Sequence, residues 1–201
     1  MAIRTLSEEE RAIDTTAVTV LVQAARALDR VLRGIETLAM VLAALAIVAI
    51  TVIVCAEVVL RSAFGISTLI SAEYAGYLLA ATVYLGLAWT FRNGGFIRVE
   101  LAQSLLRGRV AAVVNLVLAG IALATLVVYS WYIFDFVHSS YRSGATSIFI
   151  TRTPLWIPQL VLPAGCALMV LTMLSHTIRA AGVLIGLVPP EATDEETGDW
   201  L

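Results

Sequence analysis

Hydrophobic positions gather into four long runs, roughly Thr37 to Leu60, Tyr74 to Phe91, Val110 to Phe134 and Leu155 to Ile178. Each meets the requirement of about 20 mostly apolar residues for a helix that crosses a hydrocarbon layer about 30 Å thick. No Asp, Glu, Lys or Arg lies near the middle of any run. The pattern predicts an all-α membrane protein of four transmembrane helices over residues 37–185. An amphipathic segment (1–36) precedes it and an acidic tail (186–201) follows. Between spans two and three, Asn93-Gly94-Gly95 is expected to break the helix, after which 96–107 forms a short new one. On a helical wheel Gln103, Arg107, Glu100 and Ser104 share one arc of that arm and apolar residues fill most of the rest, so it is expected to lie flat in the membrane interface. Arg98 falls in the apolar arc, where it either snorkels to lipid phosphate or pairs with a carboxylate of a partner.

Composition excludes a soluble fold. At 60% hydrophobic residues and a mean hydropathy of +0.91, a soluble domain of this length has too much apolar surface for its interior. All 13 basic residues are arginines, and their placement predicts an orientation. Arg26, Arg30 and Arg33 precede the first span; Arg92, Arg98, Arg107 and Arg109 separate the second and third; Arg179 follows the fourth. Arg61, Arg142 and Arg152 are all that the other two connections carry. The positive-inside bias therefore puts both termini and the middle connection in the cytoplasm. The net charge of -2 is divided between two membrane faces and points to no partner, nucleic acid included. The first thirty residues open on Ser7-Glu8-Glu9-Glu10 rather than a basic region and read as a helix leading into the first span, not as a signal peptide. Ser7 and Glu10 have capping-box spacing for its start.

Few residues invite chemistry. Glu57 and Arg61 stand four apart at the end of the first span, in the order that favours a helical ion pair. Headgroup anchoring is the expectation, for Arg61 as for Trp156, and a proton-carrying carboxylate is the rival. Glu73 lies in the first turn of the second span, with Ser71 as expected N-cap. Ala72, Gly76 and Ala80 form a ridge of small residues at intervals of four, the usual means of close helix approach in membranes. Cys55 and Cys166 are isolated and read as structural. His138 and His176 fall near opposite membrane faces and do not share a haem iron, so no cofactor or metal is expected. Pro154 or Pro158 suits the opening turn of the fourth span, and Pro163 is expected to bend it.

From Glu57 to Arg179 the chain resembles the small, DctQ-type membrane subunit of tripartite ATP-independent periplasmic (TRAP) transporters. The resemblance rests on Arg61, Ser71-Ala72-Glu73, Gly86, and Arg92-Asn93-Gly94-Gly95-Phe96-Ile97-Arg98-Val99-Glu100. It continues through Gly144, Ser147, Thr153-Pro154-Leu155-Trp156-Ile157-Pro158-Gln159 and Leu162-Pro163-Ala164-Gly165. Phe96 departs from it, since histidine often stands there in the family. The resemblance implies a non-catalytic subunit of the bacterial inner membrane. Its partners are then a large permease subunit and a periplasmic substrate-binding protein that together import a carboxylate-bearing small molecule with sodium. Glu73, Gly76, Ala80, Arg92, Arg98 and Glu100 are the expected contacts with the large permease. Two rivals stay open: a self-sufficient homo-oligomeric transporter or channel using Glu57, and a membrane anchor of a redox complex.

Overall fold

The computed structural model describes residues 2–95 and 109–185, with most side chains described from Asp29 onward. The arm expected over 96–107, with Arg98 and Glu100, lies outside the described residues, as does the tail 186–201. The described residues are helical: α1 (Ala2–Phe64), α2 (Ser71–Arg92), α3 (Arg109–Arg142), α4 (Trp156–Gln159) and α5 (Val161–Ile185). Four stretches are long and apolar enough to cross a membrane: Asp29–Phe64, Ser71–Arg92, Val113–Arg142 and Trp156–Gly182.

The chain divides into two compact units, Met1–Ile35 and Glu36–Leu201. In the first, Arg33 Nε donates to Asp29 Oδ2 at 3.0 Å, an i,i+4 pair. Helix α1 is continuous from Ala2, so Ser7 does not begin it.

Helix α5 is the centre of the bundle and packs along both α2 and α3. Its buried face is Gly165, Cys166, Leu168, Met169, Thr172 and Met173. Gly165 explains the closeness of the α2 contact, because a Cβ there would fall 2.3 Å from the Tyr84 carbonyl oxygen. Only a residue without a side chain lets the two backbones meet. On α1 the buried positions Glu36, Ala39, Ala43, Ala46 and Glu57, with half-buried Ile50 and Ile53 between them, alternate at steps of three and four. That spacing keeps one stripe of the helix turned toward the bundle. Thr82 Oγ1 of α2 reaches the Ala43 carbonyl at 3.5 Å, and Tyr84 and Tyr129 join α2 to α3 through hydroxyls 2.7 Å apart.

Several ends differ from the sequence expectation. Ile70, not Ser71, is the N-cap of α2, and no side chain caps it. Leu69 turns the chain at φ 56°, so Ser71 already lies inside the first turn and the Ile70 carbonyl accepts the Tyr74 N–H at 3.1 Å. Helix α3 runs past Phe134 to Arg142, ending where Gly144 takes φ 61°. The fourth span is broken at Leu160 into α4 and α5. Pro163 has no N–H for the Gln159 carbonyl, so the helical bonding lapses there, and Pro163 itself sits in the first turn of α5, where a missing N–H is tolerated. The break at Asn93-Gly94-Gly95 is where the glycines predict it. Gly94 takes φ 70°, its N–H bonds to the Phe91 carbonyl at 3.2 Å, and the Gly95 N–H bonds to the Thr90 carbonyl at 2.8 Å. This pair of bonds is a Schellman cap.

Candidate functional site

Three buried carboxylates organise the polar structure of the second unit, all at span ends. Glu36, only 1% exposed, receives two bonds from Arg92, from Nε to Oε2 and, at 2.9 Å, from Nη2 to Oε1. Thr172 Oγ1 donates to Oε1 at 2.6 Å. Helices α1, α2 and α5 are thereby tied at one point, directly before the Asn93-Gly94-Gly95 turn. A charge in such surroundings persists only with a bidentate partner and its remaining lone pairs satisfied. Sequence reasoning missed Glu36. The signal was present, since Glu36 shares the three-and-four spacing of Ala39, Ala43 and Ala46.

The other two carboxylates brace connections at the opposite end of the bundle. Glu57 accepts from Arg61 Nη2 at 3.1 Å, Ser67 Oγ at 2.6 Å, the Thr68 N–H at 3.1 Å and Thr68 Oγ1. The 65–70 turn is thus folded back onto the end of α1. Glu73, at the start of α2, accepts from Tyr77 OH at 2.8 Å and from Thr151 Oγ1 across a separation of 78 residues. The connection it holds is pinned further by a backbone bridge between Thr146 and Pro154. The Ser147 N–H bonds to the Thr153 carbonyl at 2.9 Å, and the Leu155 N–H to the Ala145 carbonyl at 3.0 Å.

Of the expected partner contacts, Arg98 and Glu100 lie outside the described residues. Glu73 and Arg92 are engaged within the chain, at opposite ends of α2. Gly76 is exposed, with nothing within 4 Å of where a Cβ would stand, and Ala80 is half-buried. Within the bundle a close helix approach is made by Gly165, while Gly76 on the Ala72, Gly76 and Ala80 ridge meets nothing of this chain. Arg61 holds Glu57 and Ser67, and Trp156 packs edge-on to Tyr141 with ring centroids 5.5 Å apart. His138 stacks on Phe134 and His176 packs edge-on to Phe91. Among the described residues no cluster of three metal-ligating side chains occurs, and both cysteines are free thiols.

Four apolar spans around a close α2 to α5 contact, with buried charges bonded to the chain's own loops and helices, define a small polytopic helical membrane protein. The particular family follows from its sequence. The chain belongs to the DctQ family: the family model described as "Tripartite ATP-independent periplasmic transporters, DctQ component" matches residues 50–182. It is therefore the small component of a TRAP transporter, a transporter part rather than a member of an enzyme family. No individual curated protein matches the chain.

Proposed function

We propose that this component is a scaffold for a large permease subunit and does not itself carry solute. The observation that carries this reading is the bonding of the buried carboxylates. Glu36, Glu57 and Glu73 stand at span ends, and each accepts from two or more groups of its own chain. A carrier that couples its own ions places ionisable or broken-helix elements at mid-depth, where they can exchange partners. Glu57, the one carboxylate a homo-oligomeric carrier was expected to use, is committed to a turn.

The docking surface in this reading is the open side of α2. Ala72 and Gly76 are exposed and Gly76 has clear space above it, so a partner helix can approach there without displacing anything in the chain. The arm, with Arg98 and Glu100, extends the surface, and Glu73 and Arg92 hold the two ends of α2 in place for it. The full complex includes a periplasmic substrate-binding protein and imports a carboxylate-bearing small molecule with sodium. Both termini and the arm face the cytoplasm of a bacterial inner membrane, the sidedness that the arginines favour.

Co-expression with the large permease tests the reading. Gly76→Leu combined with Arg98→Glu is expected to reduce recovery of the permease on the tagged small component while leaving the small component itself in the membrane. Unchanged recovery overturns the assignment of the α2 face.

A further inference from the structure

At the end of the bundle that carries the 65–70 and 143–155 connections, a cleft of about 300 Å³ opens among Glu57, Arg61, Leu69, Ile148, Phe149 and Ile150. It has two kinds of wall. On one side the Arg61 guanidinium is 66% exposed while the Glu57 side chain that it pairs with is only 10% exposed. The carboxylate is enclosed by its donors and the cation is presented outward. Arg61 uses Nη2 for both of its bonds, to Glu57 at 3.1 Å and Ser67 at 3.0 Å, and among the described residues Nε and Nη1 bond to nothing. A planar guanidinium with free donors matches a phosphate.

The other wall is apolar and displayed. Ile148 is 98% exposed and Ile150 72%, and Phe149 and Leu69 line the cleft with them. The same cleft is lined by Glu57 and Arg61 near the end of α1 and by Ser71 and Ala72 at the start of α2, so it lies at span ends. The wall is also fixed. Thr151 is held by Glu73, Ser147 Oγ accepts the Phe149 N–H at 3.1 Å, and the Thr146 to Pro154 bridge closes the base. A wall held in this way loses little conformational freedom when a ligand settles on it.

We propose that this cleft is a phospholipid site, in which Arg61 binds the phosphate and Leu69, Phe149 and Ile150 line the upper part of one acyl chain. A phospholipid brings a phosphate and an adjoining apolar chain to the interface of a bilayer, and it is present there at high local concentration. The site requires the four spans to lie in a membrane and does not require the scaffold role, although Ala72, at the edge of the docking face proposed above, also lines the cleft.

Native mass spectrometry of the detergent-purified, delipidated full chain tests this, with phosphatidylglycerol, diacylglycerol and glycerophosphate as probes. Phosphatidylglycerol is expected to bind, and neither diacylglycerol nor glycerophosphate to match it. Arg61→Gln is expected to weaken phosphatidylglycerol binding roughly tenfold, the weight of one charge-assisted hydrogen bond. Ile150→Asn, on a side chain too exposed to unfold the bundle, is expected to weaken it while the unfolding midpoint stays unchanged. The proposal fails if diacylglycerol binds as well as phosphatidylglycerol, or if both variants retain the lipid. It also fails if the variants lose a co-expressed membrane protein while their lipid occupancy is unaltered, since the cleft then receives protein.

Discussion

Replacing Arg92 by alanine leaves Glu36 charged, enclosed and without its bidentate partner. Loss of one member of a buried pair costs about 3 to 5 kcal/mol. Thr172→Val removes one donor and leaves the ion pair, at about 1 to 3 kcal/mol. Chemical unfolding in detergent is expected to rank the two in that order, and a double-mutant cycle between Glu36 and Arg92 to return a large coupling energy. Additive effects count against the pair as a structural unit. At the other end of the bundle, Glu73→Ala takes the acceptor from Thr151 and Tyr77. Hydrogen bonds to a charged group contribute about 1.5 to 3 kcal/mol. The expected result is local, with hydrogen exchange at the Ser147 and Leu155 amides accelerating while the amides of α5 hold their protection.

Two glycines separate the elements that bind each other within the chain from the element left open. At Gly165 any Cβ meets the Tyr84 backbone, which cannot rotate aside. Gly165→Leu is therefore expected to push α5 off α2 and destabilise the protein by about 1 to 3 kcal/mol or more, read as a lower unfolding midpoint. At Gly76 a Cβ meets nothing, and Gly76→Leu is expected to leave that midpoint within about 0.5 kcal/mol, the range of ordinary surface changes. Equal destabilisation by both variants shows that the packing of α2 has been misassigned. The Schellman cap at Asn93-Gly94-Gly95 ends α2 one residue beyond the Arg92 anchor.

Across the second unit the charged groups described above stand near span ends, and the buried side chains between them are mostly alanine, methionine, leucine, valine, cysteine and threonine. Reconstituted alone in vesicles, the chain is expected to show no solute uptake under a sodium gradient. Uptake that disappears in Glu57→Gln overturns the scaffold reading and restores the self-sufficient carrier. Uptake is expected only when the large permease and the substrate-binding protein are supplied together.

The four spans, the helix break at Asn93-Gly94-Gly95, the interruption near Pro163 and the family were all legible in the sequence. Each follows from a local cause: the length of an apolar run, the backbone freedom of glycine, the missing proline N–H, or a run of characteristic residues. Partners distant in the chain were not legible. Glu36 to Arg92 spans 56 residues and Glu73 to Thr151 spans 78, and nothing in the periodicity of either helix names the other end. Small residues on α2 and on α5 look alike as text, yet Gly165 touches a backbone and Gly76 faces open space. Sequence by itself determined what the membrane requires of each helix, because hydrophobic transfer acts residue by residue. Which helix faces which, and which charge answers which, was decided by tertiary structure, because a buried ion pair and a backbone contact exist only once three helices have been brought to one place.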